Sequence, residues 1–208
     1  MTRHPDLRYE RKLWRTGIEA VAGVDEAGVG PMAGPVVAAA VVFAPEIYIK
    51  GVHDSKQLLA EKREELHDTI RARAIAFAVG IAEVEEIDRL NIYWATMRAI
   101  ERALTGLERT PRHVLVDGRK VPGLKIPQTH IVGGDRKSFC IAAASILAKV
   151  TRDRIMSAYD EQYPGYGFAQ HKGYCTSDHM QTLEHLGPSP IHRRSFSPVA
   201  MSAQLKLI

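Results

Sequence analysis

Asp25 and Glu26 are the residues with the clearest chemical potential. They are adjacent carboxylates in Gly23-Val24-Asp25-Glu26-Ala27-Gly28, closing an apolar run just before a glycine turn. Successive side chains of a strand point to opposite faces, so both acids reach one site only near a strand end, where the backbone bends. Paired acids at that place suit a hard divalent cation better than they suit packing. Two more single acids stand in apolar surroundings. Asp117 follows Val114-Leu115-Val116 and precedes Gly118, and Asp153 follows Ile146-Leu147-Ala148-Lys149-Val150-Thr151-Arg152. Two strand ends and one helix can bring all four to one sheet edge. Four carboxylates in a small volume repel one another and resist desolvation. Divalent cations relieve both problems, and oxygen-only ligands select magnesium or manganese over zinc. Two such ions about 3.5–4 Å apart activate water and stabilise the leaving oxygen in phosphodiester cleavage, with no serine or cysteine nucleophile. The competing reading makes Asp117-Gly118 a plain turn and Asp153 the surface partner of a neighbouring arginine.

The elements that would position these acids are legible from apolar spacing. Residues 19–28 read as a strand ending in a turn, and Val36 to Phe43 as a strand buried on both faces. Gly30, Pro31, Gly34 and Pro35 punctuate a tight link between them. Leu58 to Ala72 has helical spacing, Ala74 to Ala82 reads as a strand, and Glu85 to Leu107 reads as one long helix. His113 to Val116 and Gln128 to Val132 are short strands. Ser138 to Tyr159 is a helix with an Ala-rich first half. A loop from Tyr163 to Tyr174 leads to a helix at Thr176 to Leu186, with Thr176 or Ser177 as its N-cap, and the tail after Pro188 reads as irregular and basic. This order predicts an α/β domain with a mixed sheet and a small C-terminal appendage from about residue 163.

The 208 residues carry a formal charge of +4, 45% apolar residues and few aromatics, so one domain with a real core is expected. No run of about 18 apolar residues suggests a membrane span. The start, Met1 to Arg15, is polar and lacks an apolar signal region, so the expected location is cytoplasmic. Cys140 and Cys175 have no redox or metal-ligand spacing and read as free thiols. Bases cluster near glycine or proline (Arg119-Lys120, Arg136-Lys137, Lys172, Arg193-Arg194) while the acids above stand apart. That contrast fits a metal site acting on a phosphate backbone; an ordinary solvated surface is the bland alternative. Gly133-Gly134-Asp135-Arg136-Lys137-Ser138 lacks the spacer and ending of a phosphate loop and is rejected as a nucleotide site. The nine histidines show no zinc spacing.

With these motifs in hand, the chain resembles the type 2 ribonucleases H, the bacterial ribonuclease HII family. The match runs through Gly23 to Gly28, Gly30-Pro31-Met32-Ala33-Gly34-Pro35 with the following Val36 to Ala40, Asp54-Ser55-Lys56 and Val116-Asp117-Gly118. It continues through Gly133-Gly134-Asp135, Lys137-Ser138, Ala142 to Asp153, Tyr166-Gly167-Phe168, His171-Lys172-Gly173-Tyr174 and Gly187 to Phe196, covering roughly residues 19 to 199. The resemblance implies a ribonuclease H-like fold, with a mixed five-stranded sheet flanked by helices. It implies an N-terminal extension at 1–18, a catalytic domain at 19–163, and a helical C-terminal segment with its tail at 164–208. It implies hydrolysis of the RNA strand of RNA–DNA hybrids and incision 5′ to single ribonucleotides in duplex DNA, leaving 5′-phosphate and 3′-hydroxyl ends. The expected cofactors are two Mg2+ or Mn2+ ions. Asp25, Glu26, Asp117 and Asp153 are the expected catalytic and metal-binding acids.

The resemblance also assigns nucleic-acid contacts. The family usually reads Gly-Arg-Gly where this chain has Gly28-Val29-Gly30. That loop recognises the ribonucleotide 2′-hydroxyl largely through backbone groups, which the two glycines still permit. Val29 supplies no guanidinium to a phosphate, so weaker binding is expected. Tyr174 matches the tyrosine that stacks on the sugar 3′ to the ribonucleotide; a loop aromatic covering the core is its bland alternative. Lys56, Lys149 and Lys172 are candidate phosphate contacts. The ending Gln204-Leu205-Lys206-Leu207-Ile208 is similar to short peptides that dock on sliding clamps, against the alternative of a tail packing on its own domain. A monomer is expected. Two other readings stand beside the hybrid endonuclease: another nuclease of the same fold, such as a junction resolvase or type 3 ribonuclease H, and a non-cleaving hybrid-binding protein.

Overall fold

A computed structural model describes residues 4–205, with side chains from 4 to 202. The run Val36-Val37-Ala38-Ala39-Ala40-Val41-Val42 forms strand β2 (Val36–Val42), buried at every residue as its continuous apolar character requires. β2 pairs antiparallel with β1 (Val21–Ala27) and with β3 (Ala76–Ala82). β1 pairs parallel with β4 (His113–Asp117), and β4 parallel with β5 (Gln128–Ile131). The order β3-β2-β1-β4-β5 is the expected mixed five-stranded sheet.

Helices cover both faces. On one, α4 (Ile92–Thr105) lays Ala95, Ala99, Ile100 and Ala103 over Val24, Ala38, Ala40 and Val116. On the other, α5 (Phe139–Gln162) buries nearly all of its first half, and α2 (Ala60–Arg73) packs outside it through Leu66 and Ile70. Small residues let α5 lie flush on β1. A Cβ added at Gly23 would stand 2.2 Å from the Cys140 carbonyl carbon, so Gly23→Ala would push the helix off the sheet. The parallel register pairs Val24 with Val116, which sets Asp117 beside Asp25 at the same end of two adjacent strands. The β1–β2 link, residues 28–35, leaves from that end.

Three expectations change. The long helix at 85–107 is two helices, α3 (Val84–Leu90) and α4, because Asn91 adopts φ 67° and its side chain accepts from the Tyr93 and Trp94 N–H groups, capping a new helix. The loop at 163–174 contains a short helix, α6 (Phe168–His171), before α7 (Ser177–Leu186). The tail is not irregular throughout: Ser197–Leu205 forms α8, seated through Val199 on Met32 and Leu183. The N-terminal stretch also carries an unforeseen helix, α1 (Arg8–Trp14). Its fully buried Glu10 accepts from the Ser138 hydroxyl (2.6 Å) and the Cys140 N–H (2.9 Å) at the start of α5. Burial raises the Glu10 pKa. No helix among the described residues is long and apolar enough to cross a membrane.

Candidate metal and nucleic-acid site

At the shared end of β1 and β4 lies a cleft of about 170 Å3. Asp25, Glu26 and Asp117 line it, together with Gly28, Val29, Gly30, Lys56, Lys149 and Tyr174. The same cleft takes in Asp135, from the one-turn helix Gly134–Arg136. The Asp117 carboxylate accepts from the Gly134 N–H at 2.5 Å, so the backbone beside Asp135 is tied to the end of β4. Four acids therefore converge, three of those expected and Asp135. The sequence carried Asp135 in plain view within Gly133-Gly134-Asp135, a stretch that matches the family motif and fails as a phosphate loop but is given no role as a site acid.

The structure does not bring Asp153 to this cleft. It lies one turn beyond Lys149 on α5, accepting from Lys149 Nζ at 2.6 Å, with Arg63 of α2 at 3.6 Å. The reason is helical geometry. Ser145 and Lys149, one turn apart, line the acid cleft, while Asp153 continues down the helix into a neighbouring groove with Arg63, Glu64 and Lys172. Lys172 also leaves the cleft: its Nζ bonds the Asp153 carbonyl (3.3 Å) and the Ser157 hydroxyl (2.8 Å). Lys149 lines the cleft but is shared with Asp153, and burial lowers its pKa. Lys56 is exposed at the rim, presented by a turn that the Asp54 carboxylate caps at the Lys56 N–H (3.0 Å).

Electrostatics mark the cleft as wanting positive charge. Burial, then the charges of Glu26 and Asp117, raises the Asp25 pKa well above the carboxylate range. Burial and Asp117 raise Glu26 to about 7 against the opposing pull of Lys56, and burial with Asp54 and Asp117 raises Asp135. A divalent cation would reverse each of these effects. Among the described residues no three His, Cys, Asp or Glu side chains form a ready-made metal cage. Oxygen donors from two strands and a turn suit a hard ion with open positions.

The glycine loop is built from the other side. Gly28 adopts φ +95°, and a Cβ there would meet the Arg152 side chain at 2.1 Å. Buried Arg152 donates to the carbonyls of Pro35, Lys172 and Ala33, each at 3.0 Å. Buried Arg193 donates to those of Gly34 (2.9 Å), Val29 (3.1 Å) and Gly28 (2.5 Å). Sequence reading left Arg152 and Arg193 without a role in the loop, since their partners are backbone carbonyls distant in sequence. Val29 is 39% exposed on the rim, and a Cβ added at Gly30 would come no nearer than 4.0 Å to the Tyr174 ring. Tyr174 itself is 43% exposed, so it does not cover the core. Its carbonyl is held by His179 Nδ1 (2.8 Å), whose Nε2 meets His192 Nε2 (3.0 Å), and His192 Nδ1 accepts from the Ser189 N–H (3.0 Å).

The family model described as Ribonuclease HII matches residues 22–199, the span holding every one of these groups. This chain belongs to the ribonuclease HII family. Members include the ribonuclease HII of Anaeromyxobacter sp. (strain Fw109-5), 58% identical over 93% of this chain, and that of Myxococcus xanthus, 58% identical over 93%. The chain spans 61% and 66% of those two relatives' lengths. Among solved structures, ribonuclease H2 from Pyrococcus horikoshii superposes with TM-score 0.76 at 30% identity, covering 89% of this chain and 97% of that one. The ribonuclease HII in the PCNA complex from Archaeoglobus fulgidus superposes at 0.72 with 27% identity, covering 88% and 96%. Family membership and these superpositions agree with the expected ribonuclease H-like fold.

Proposed function

We propose that this chain is a metal-dependent endoribonuclease that hydrolyses the RNA strand of RNA–DNA hybrids and incises 5′ to single ribonucleotides in duplex DNA. The observation that carries the reading is the convergence of Asp25, Glu26, Asp117 and Asp135 in one desolvated cleft beside Gly28-Val29-Gly30 and Tyr174. Membership of the ribonuclease HII family supports the same substrate class.

In this reading the four acids hold Mg2+ or Mn2+, two ions during catalysis, and Asp135 takes the place first expected for Asp153. When bound, the ions supply a water nucleophile at neutral pH and neutralise charge at the leaving oxygen, giving 5′-phosphate and 3′-hydroxyl ends. The remaining work falls to the chain. Ser145, bonded to the Ser55 hydroxyl at 2.8 Å, stands beside Asp25 in the cleft and favours its charged form. Lys56 supplies a cation to the phosphate backbone at the cleft rim. The Gly28-Val29-Gly30 backbone contacts the ribose. The exposed Tyr174 ring packs on the next sugar, where an added 2′-hydroxyl would clash, so the DNA side of the junction is read by shape. Asp153 and Lys172 serve the fold rather than the reaction.

The chain is proposed to act as a cytoplasmic monomer, with residues 19–163 as the catalytic domain and 164–208 completing its substrate face. A clamp-docking role for Gln204 to Ile208 belongs to the same proposal, and the solved complex of a relative with PCNA supports it. Lys206, Leu207 and Ile208 lie outside the described residues, as do the side chains of Gln204 and Leu205.

The test is incubation with duplex DNA carrying one ribonucleotide, plus magnesium or manganese. Incision on the 5′ side of that ribonucleotide is expected. Cleavage of long hybrid alone would favour a type 3 ribonuclease H, and binding without cleavage a hybrid-binding protein.

A further inference from the structure

We propose that Arg193, contributed by the C-terminal segment, is the positioning residue for ribose selection. Its guanidinium holds the Gly28 and Val29 carbonyls and so turns the Val29 and Gly30 N–H groups toward the acid cleft as donors to a 2′-oxygen. This inference rests on the endoribonuclease reading above and adds to it a residue outside the cleft.

The geometry is specific. In a trans peptide, the carbonyl of one residue and the N–H of the next point in opposite directions. Arg193 Nη2 binds the Gly28 carbonyl and Nη1 the Val29 carbonyl. The N–H groups of Val29 and Gly30 must therefore point away from Arg193. Gly28, Val29 and Gly30 line the acid cleft and Arg193 does not, so away from Arg193 is toward the cleft. Among the described residues neither of these two N–H groups donates a backbone hydrogen bond. Two adjacent donors turned the same way are suited to an oxygen acceptor.

Arg193 is itself held firmly. Its N–H donates to the Met32 carbonyl (2.9 Å), its Nε to that of Gly34 (2.9 Å), and its guanidinium carbon lies 5.1 Å from the Phe196 ring centroid. Next to it, Ala33 and His192 form an isolated antiparallel bridge. The side chain is fully buried, and its hydrogen-bond partners are three carbonyls. An apolar side chain of similar volume would fill that space as well. Only a planar fork with five donors orients three peptides from both arms of the loop at once.

The experiment measures Kd for an all-DNA duplex and for the same duplex with one ribonucleotide, in calcium to stop turnover, for wild type, Arg193→Lys and Phe196→Leu. Circular dichroism checks that each variant is folded. The wild type should prefer the ribonucleotide duplex. In Arg193→Lys the preference should fall by about tenfold, the scale of a lost hydrogen bond to an oriented donor, while affinity for all-DNA duplex stays at the wild-type value. Phe196→Leu, which removes the ring beneath the guanidinium and keeps side-chain bulk, should shift the preference in the same direction by less. It decides the matter if Arg193→Lys fails to fold. A preference unchanged in the folded variants, or two affinities falling together, overturns the inference. A wild type that does not incise the ribonucleotide duplex in magnesium or manganese overturns the endoribonuclease reading, and this inference with it.

Discussion

Lys149 and Asp153 form an ion pair of 2.6 Å across one turn of α5, with Lys149 lining the acid cleft and Asp153 one turn beyond it. With Arg63 at 3.6 Å, Asp153 already has two cationic neighbours and no need of a metal. Asp135, raised by burial and by Asp54 and Asp117, has the opposite surroundings. Asp135→Asn should lower kcat by at least about 100-fold, as removal of a group stabilising transition-state charge does. Asp153→Asn should leave kcat within about tenfold. It should lower Tm by a few degrees, since an unpaired, partly buried lysine costs on the order of 1–2 kcal/mol. Steady-state kinetics and thermal melts of both variants check this. A dead Asp153→Asn beside an active Asp135→Asn would reverse the assignment.

Val29 is exposed at the rim, where a longer cationic side chain has room to reach a phosphate. Val29→Arg should bind hybrid more tightly, by about 1.5–3 kcal/mol for a charged hydrogen bond. The slope of log K against log salt should steepen by about 0.9 for one added phosphate contact. Fluorescence anisotropy across a salt series measures both, and an unchanged slope would show that residue 29 does not face the backbone.

Tyr174 contributes its backbone carbonyl to the histidine chain and its ring to solvent. Tyr174→Ala removes the ring alone. Single-ribonucleotide incision should fall much more than cleavage of long hybrid, with Tm close to wild type. Full retention of junction incision would remove Tyr174 from the site.

Glu26 titrates near pH 7 because burial and Asp117 disfavour its charge. A folded pKa above the unfolded value means that charging Glu26 destabilises the fold as pH rises from about 4.5 to 7. A bound divalent ion removes that penalty, since it binds the charged form. Saturating Mg2+ should therefore raise Tm more at pH 8 than at pH 6. Differential scanning fluorimetry at the two pH values is the measurement, and an equal gain at both would contradict the metal assignment of Glu26.

His179 and His192 have the reverse sign. Burial lowers each from 6.5 to about 4. The unfolded chain takes up protons first, so their contribution to stability is intact above pH 6.5 and is lost as pH falls toward 4, by up to about 1.4 kcal/mol per pH unit per histidine. The imidazole NMR resonances of both should titrate with midpoints near 4. A midpoint near 6.5 for either would mean that the chain of bonds under Tyr174 is not formed.

Local pattern in the sequence determined the sheet, most of its helices and three of the four acids. A strand buried on both faces must be apolar throughout, as Val36–Val42 is, and acids that end apolar runs stand where strands end, as Asp25, Glu26 and Asp117 do. Spacing within Glu85–Leu107 did not reveal the break, because Asn91 is compatible with a helix interior until its backbone turns left-handed. What only the tertiary structure decided was which further groups face the cleft. Asp153 and Asp135 look alike in sequence, each an acid beside a base. Advance along α5 carries Asp153 one turn past Lys149 to Arg63, and the Asp117–Gly134 bond ties the turn bearing Asp135 to the end of β4. The arginines beneath the glycine loop were equally hidden. Arg193 acts on carbonyls more than 150 residues away, 165 positions from it at Gly28, and a partner that is backbone leaves no mark on residue type.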